Sequence, residues 1–184
     1  MKELSLNILD ITKNSTKAKA ELIEISILET TDLLTIIIAD NGTGMTEETL
    51  RSVSDPFYTT RTTRKVGMGI PLFRASAEQC GGSLTITSNH IDEHPADHGT
   101  TLTATFNKQH IDFTPLGDII STIVTLIQGN PSVDFVFRHD LTDRHILLDT
   151  RELRTVLDDV PLDTFEVLTW IKENLEEQYK NDDK

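Results

Sequence analysis

The chain has 184 residues, of which 37% are hydrophobic and 26% are charged, proportions typical of a globular rather than a disordered protein. Its 17 basic and 30 acidic side chains give a formal charge of −13, which argues against non-specific binding to nucleic acid or to an anionic membrane. The longest uncharged apolar run, residues 33–39, is far shorter than the roughly 20 residues that span a bilayer. A single cysteine excludes an internal disulfide. We expect a cytoplasmic protein without a secretory signal.

The charge is unevenly distributed along the chain. Residues 1–108 carry 10 basic and 14 acidic side chains, whereas residues 109–184 carry 7 and 16. The net charge of these two parts is therefore −4 and −9, which places a boundary near residues 108–114. We predict a first domain over residues 1–108 and an acidic appendage over residues 109–184.

Apolar periodicity predicts the elements of the first domain in the order helix, strand, strand, helix, loop, helix, strand, strand. The predicted helices cover residues 3–18, 47–53 and 71–80, and the predicted strands cover residues 22–28, 33–39, 83–89 and 100–106. This order is typical of a two-layer α/β sandwich with helices on one face of a mixed sheet. In the appendage, a helical stripe from Leu116 to Ile127, two short strands and two further helices predict an α-β-β-α-α unit.

Three polar residues lie on one face of the first predicted helix. Asp10, Asn14 and Lys17 are separated by four and three residues, so their side chains are neighbours on the helix surface. All three side chains can therefore point into one pocket. A carboxylate can orient or deprotonate a nucleophile, and an amide oxygen is a suitable ligand for Mg²⁺. The alternative is an ordinary solvated helix face.

The second predicted strand runs directly into the segment Asp40-Asn41-Gly42-Thr43-Gly44. A carboxylate in this position can accept a hydrogen bond from an exocyclic amine, and glycines allow the backbone to approach a ring closely. The same segment is also a common turn sequence.

The segment from Phe57 to Lys65 contains three cations and four threonines, and is the most basic stretch of an acidic chain. Such a composition suits the oxygens of a triphosphate, although a solvated basic loop is the alternative. It is followed by the segment 67–71, which leads into a helix whose start is suited to an anion. The histidines at 90, 94 and 98 could suggest a metal site, but a solvated loop is the preferred interpretation because a proline interrupts them.

In this order, the clusters resemble the sequence boxes of the GHKL ATPase superfamily, which includes sensor histidine kinases, the DNA gyrase B protein and MutL. Asp10 and Asn14 resemble the asparagine box, and residues 40–44 resemble the first glycine box. Residues 55–60 resemble the phenylalanine box, residues 67–70 the second glycine box, and residues 99–100 the final glycine-threonine pair. The resemblance implies the histidine-kinase-like ATPase (Bergerat) fold for residues 1–108.

The resemblance also implies roles for individual residues. Asp10 would be catalytic, Asn14 would hold Mg²⁺, and Asp40 would meet the adenine amino group. The residues expected to contact ATP are Asn14, Lys17, Asp40, Gly42, Gly44, Met45, Phe57, Thr59, Thr60, Arg61, Lys65, Gly67, Met68, Gly69, Ile70 and Thr100.

The sequence departs from the kinase pattern at three places. Lys65 and Val66 stand where the pattern has glycine and threonine, so the lid would be stiffer or Lys65 would reach the phosphates. Asp10 is one methylene shorter than the more frequent glutamate. Because nine residues precede Asp10, we expect no dimerisation helices with a phosphorylated histidine, as in stand-alone anti-sigma-factor kinases.

Two functions remain open at this stage. The first is an ATP–Mg²⁺-dependent enzyme that hydrolyses ATP or transfers its γ-phosphoryl group to a protein. The second is a regulatory module in which ATP controls the docking of a protein partner, with little or no turnover. A protein partner or substrate and homodimer formation are further expectations, whereas a nucleic acid or membrane partner is not expected.

Overall fold

The computed structural model describes residues 3–54 and 69–180. Its helices are α1 (Leu4–Lys17), α2 (Glu47–Ser54), α3 (Gly69–Gln79), α4 (Ile119–Gly129), α5 (Thr150–Leu157) and α6 (Phe165–Lys180). Its strands are β1 (Leu22–Glu29), β2 (Leu33–Asp40), β3 (Ser83–Asn89), β4 (Gly99–Asn107), β5 (Asp134–Asp140) and β6 (His145–Asp149). Among these helices, none combines the length and the apolarity that are needed to cross a membrane.

The described strands form one six-stranded sheet in the order β3-β4-β2-β1-β5-β6. Strand β1 pairs in parallel with β5, so that Ile25 lies opposite Phe137. The other four pairings are antiparallel, and the sheet is therefore mixed, as predicted.

One face of the sheet forms the hydrophobic core. Alternate residues of β1, namely Ile23, Ile25 and Ile27, are completely buried, as a strand period of two requires. Helix α1 presents Leu4 and Ile8 to this core, and α3, α4 and α6 pack beside it or on the strands. Most residues on the opposite face are half-exposed or exposed, and many of them are threonines, whereas Val136 of β5 is buried there. The predicted two-layer α/β sandwich is thus confirmed.

Two predicted helix starts need correction. Helix α4 begins at Ile119 rather than at Leu116, because Gly117 has a φ of +78° and Asp118 caps the helix by accepting from the Ser121 N–H at 2.9 Å. Hydrogen bonding to the Ser121 side chain, together with this bond from its N–H, lowers the pKa of Asp118. Helix α3 begins two residues earlier than predicted, at Gly69.

The predicted boundary near residue 108 falls after β4, and the elements on either side of it belong to the same sheet. The α-β-β-α-α order predicted for residues 109–184 is confirmed, with β5 and β6 added beside β1. The N-terminal backbone of α1 is also joined to this part, since Leu4 N–H donates to the Pro115 carbonyl at 2.9 Å. The division into two domains stays a prediction.

A partly buried group of four side chains, of which His139 is the most buried, links the two predicted parts. His139 of β5 receives a hydrogen bond from the Tyr179 hydroxyl at Nδ1 over 2.7 Å, and its Nε2–H donates to Glu29 Oε2 over 3.0 Å. The second carboxylate oxygen of Glu29 accepts from Lys108 Nζ at 2.7 Å. We call these four residues the polar joint. Three hydrogen bonds thus connect the four side chains into one network.

Candidate functional site

A cavity of about 300 Å³ lies between α1, the segment after β2, the helices α2 and α3, and the hairpin of β3 and β4. Its walls are largely apolar, with a few polar side chains at one side. The apolar lining is Ile11, Ala18, Ile38, Met45, Val53, Ile70, Ile86 and Leu102, and the remaining lining is Asn14, Ser15, Lys17, Asp40, Gly44, Thr49 and Thr100. An apolar cavity with a few converging polar groups is the usual form of a small-molecule site.

Asp40 is the last residue of β2, and its carboxylate is held from two sides. The Ser15 hydroxyl donates to Oδ2 at 2.5 Å, and the Gly42 backbone N–H donates to Oδ1 at 2.9 Å. A carboxylate oxygen can accept two hydrogen bonds, so each oxygen keeps one free acceptor position. The side chain is therefore fixed in orientation and still able to accept from a donor in the cavity.

Two glycines allow the backbone around Asp40 to pack without side chains. Gly44 has a φ of +69°, and a Cβ there would lie 1.9 Å from the Asn89 carbonyl oxygen. Gly99 has a φ of +136°, and a Cβ there would lie 2.0 Å from the Asp40 carbonyl oxygen. Only glycine fits both the backbone conformation and the space. The segment after β2 therefore closes directly onto the β3–β4 hairpin and forms one wall of the cavity.

Helix α1 supplies two of its three predicted site residues to this wall. Asn14 and Lys17 line the cavity, as predicted. Asp10 is not part of the wall that the described residues form. Its carboxylate lies 3.7 Å from Lys13 Nζ, its side chain is 48% exposed, and its Cβ lies beside Gly69 at the start of α3. The described wall of the cavity begins on α1 at Ile11, and the orientation of Asp10 toward the same pocket stays a prediction.

The predicted site residues outside α1 fall into three groups. Asp40, Gly44, Met45, Ile70 and Thr100 line the cavity. Gly42 holds the Asp40 carboxylate through its N–H, and Gly69 begins α3. The predictions for Phe57, Thr59, Thr60, Arg61, Lys65, Gly67 and Met68 lie outside the described residues.

Two serines in the site were missed by the sequence analysis. Ser15 orients Asp40, and its position in the apolar stripe of α1 could have revealed that it faces inward. Ser88 of β3 accepts from the Met45 N–H at 2.8 Å and lies 2.9 Å from the Gly99 carbonyl oxygen. No local pattern marks Ser88, since its role depends on two segments that are distant in sequence.

The histidines at 90, 94 and 98 do not form a metal centre. Within the described part of the chain, no group of three or more His, Cys, Asp or Glu side chains is arranged to hold a metal ion. His98 Nδ1 instead lies 2.6 Å from the Gly42 carbonyl oxygen. This histidine therefore helps to hold the segment after β2.

Comparison with known proteins agrees with this geometry. The family model described as "Histidine kinase-, DNA gyrase B-, and HSP90-like ATPase" matches residues 1–110. Sporulation kinase C of Bacillus subtilis is 31% identical over 90 residues, which are 48% of this chain and 20% of the kinase. The chain thus spans about one fifth of the curated relative that it matches.

Two solved structures share the fold. The Aquifex aeolicus MutL ATPase domain complexed with ADP has a TM-score of 0.55 at 16% identity, covering 85% of this chain and 69% of that domain. The N-terminal domain of a DNA repair protein has a TM-score of 0.54 at 18% identity, covering 81% of this chain and 53% of that one. Both matches extend beyond the residues that the family model covers. With the family model matching more than half of its length, the chain belongs to the histidine kinase-, DNA gyrase B- and HSP90-like ATPase family.

Proposed function

We propose that this chain binds ATP with Mg²⁺ in the cavity beside Asp40, and that it hydrolyses the ATP or transfers its γ-phosphoryl group to a protein. The observation that carries the proposal is the Asp40 carboxylate, held by Ser15 and Gly42 with acceptor positions free. The adenine amino group is a donor that matches such an acceptor, whereas the corresponding guanine group is a carbonyl that the carboxylate repels.

The remaining lining fits the rest of the nucleotide. Apolar side chains such as Met45, Ile86 and Leu102 suit the faces of a purine ring. Lys17 is a cation on the same wall and suits a phosphate oxygen. The amide oxygen of Asn14 is a hard ligand of the kind that Mg²⁺ takes together with phosphate oxygens. When bound, Mg²⁺ would neutralise charge that develops on the phosphates.

Asp10 is the residue we assign to orienting or deprotonating the attacking nucleophile. It lies beside Gly69, where α3 begins, and a helix start is the positive end that favours an anion. About half of its side chain is exposed, so an incoming water or hydroxyl group can reach it. A cytoplasmic location accords with this proposal, since ATP is abundant there, and a protein partner or substrate belongs to the same proposal.

Binding of ATP and GTP measured by calorimetry tests the nucleotide assignment. We expect a preference for ATP, and Asp40→Ala should weaken ATP by roughly 10–150-fold, the usual effect of losing a hydrogen bond to a charged group. Asp40→Asn keeps the shape of the side chain and should lose most of the same affinity. Asp32→Ala removes an exposed carboxylate before β2 and serves as the matched control. Equal affinities for ATP and GTP would overturn the assignment.

A second candidate function is an ATP-gated regulatory module. Helix α1 carries Asn14 and Lys17, packs against α4, and is joined to the following segment because Ser5 N–H donates to the Leu116 carbonyl at 2.8 Å. A change at the nucleotide could therefore be passed to residues 109–184 through α1. Amide hydrogen exchange of α4, measured with and without ATP, tests this: unchanged exchange would contradict it.

A further inference from the structure

The helices α5 and α6 leave an apolar groove at the β6 edge of the molecule. The groove has a volume of about 440 Å³ and shares no lining residue with the cavity beside Asp40. Its lining is Leu153, Val156, Leu157, Val167, Trp170 and a single polar residue, Glu166. Val156 is 83% exposed and Trp170 is 49% exposed, so two of the apolar side chains that line the groove are open to solvent.

Two further apolar side chains are exposed in this part of the chain. Val160 follows α5 and is 48% exposed, whereas Phe165 begins α6, is 79% exposed and lines a separate cavity with Val124. Single exposed apolar residues are normal, but a contiguous apolar patch with a polar rim is typical of an interaction site. This surface therefore indicates a binding partner with an apolar face.

The rim of the groove is acidic. Exposed carboxylates flank its apolar residues on both helices and on the segment between them: Glu152, Asp158, Asp159, Asp163 and Glu166. None of these five forms an ion pair with another described residue. The neighbouring cations are already engaged, since Arg151 pairs with Asp149 and Arg154 pairs with Asp134. The negative charge of these five carboxylates is therefore not offset by an ion pair within the described residues.

We propose that this groove binds a basic amphipathic helix of a partner protein. The apolar face of such a helix would cover Val156 and Trp170, and its lysines and arginines would meet the acidic rim. A second copy of this chain is a poorer occupant, because each copy carries a formal charge of −13 and would present the same acidic rim. The inference goes beyond the proposed function and does not depend on nucleotide binding.

Trp170 provides a direct measurement, because it is the only tryptophan in the chain and lies in the groove. The probe is a tryptophan-free helical peptide of about 15 residues, with leucines at helical spacing on one face and lysines and arginines on the other. Its matched control keeps the leucines and replaces every cation by glutamate. In the absence of nucleotide, we expect the basic peptide to shift Trp170 emission to shorter wavelength and the acidic one to leave it unchanged.

Two variants connect the signal to the groove while leaving Trp170 in place. Val156→Ser should weaken the basic peptide by roughly tenfold, as truncation of a buried interface residue does. Glu166→Lys should also weaken it, and added salt should have less effect in that variant. Ile111→Ser is the matched control, because Ile111 is 95% exposed and lies outside the groove.

The proposal is overturned if both peptides shift the emission equally, if neither does, or if Val156→Ser binds the basic peptide like the wild type. It is also overturned if sedimentation shows a dimer that Val156→Ser dissociates, since the occupant would then be a second copy. Because nucleotide is absent, a negative result here leaves the ATP assignment to its own calorimetric test.

Discussion

At the β2–β4 end of the sheet, polar side chains from α1 and β2 face a cavity, whereas at the β1–β5 seam the polar side chains face one another. Asp40 keeps acceptor positions free after its bonds from Ser15 and Gly42, and Lys17 and Asn14 line the same space. In the polar joint, by contrast, Glu29 and His139 are each bonded from both sides. Acceptor positions that border a cavity are open to a ligand, whereas the polar groups of the joint are bonded to other protein side chains, which indicates a structural role.

The protonation states in the polar joint agree with this contrast. Burial lowers the pKa of His139, and the nearby Glu29 offsets this only in part. Burial alone would raise the pKa of Glu29, but hydrogen bonds from Lys108 and His139 outweigh it, and the pKa is lowered. Burial also raises the pKa of the Tyr179 hydroxyl. A neutral imidazole between a phenol donor and a carboxylate acceptor is therefore the stable arrangement.

The largest expected effect lies beside the cavity. If Asp10 assists the nucleophile, Asp10→Asn should slow phosphate release by ~10²–10⁴-fold, the usual value of general-base assistance. Nucleotide affinity should change little, so that the loss appears in the turnover rate. A phosphate-release assay beside calorimetry measures both, with Asp32→Asn as the control. Slow turnover that Asp10→Asn leaves untouched, or no turnover at all, would favour the regulatory module.

A change in the polar joint should lower the stability of the protein and leave nucleotide binding unchanged. His139→Ala leaves Glu29 and Tyr179 without a buried partner and should lower the free energy of unfolding by about 2–3 kcal/mol. Affinity for ATP should stay near that of the wild type. His145→Ala is the control, because His145 pairs with Asp140 at 2.7 Å but is 81% exposed, and a surface pair contributes about 0–1 kcal/mol. Equal losses in the two denaturation curves would contradict the structural role of the joint.

The assignment of Asn14 as a Mg²⁺ ligand can be tested in the cavity beside Asp40. Asn14→Ala should remove most of the difference between ATP affinity measured with Mg²⁺ and with a chelator, because the hard oxygen ligand is lost. Asn14→Asp retains an oxygen at the same position and should keep a Mg²⁺ dependence. A difference that persists unchanged in Asn14→Ala would mean that the metal is held by other residues.

The smallest expected effect is the dependence of the free energy of unfolding on pH. Because the pKa of His139 is lowered in the folded chain, the unfolded chain binds the proton more readily, and stability should fall as the pH decreases through the ordinary value of 6.5. One such group contributes a slope of at most about 1.4 kcal/mol per pH unit. Glu29, with its lowered pKa, should add a further loss below its ordinary value of 4.5. Urea denaturation of the wild type and of His139→Gln across this range should show the first loss only in the wild type.

The sequence alone determined the element types and most of the polar lining of the cavity beside Asp40. The apolar periods of α1, β1 and β2 are local properties of the chain, and so is the position of Asp40 between a buried strand and two glycines. Such patterns report which face of an element is buried, because the period follows from backbone geometry. For this reason the helices and strands of residues 109–184 could also be predicted in order.

Only the tertiary structure decided how these elements meet. The parallel pairing of β5 with β1, the contact of His139 with Glu29 and the bonds of Ser88 to Met45 and Gly99 join residues that are far apart in sequence. The place of Asp10 beside Gly69 was likewise decided by the packing of α3 against α1, not by its spacing from Asn14. A helical period shows that two side chains share a face, but the packed neighbours determine which of them borders a cavity.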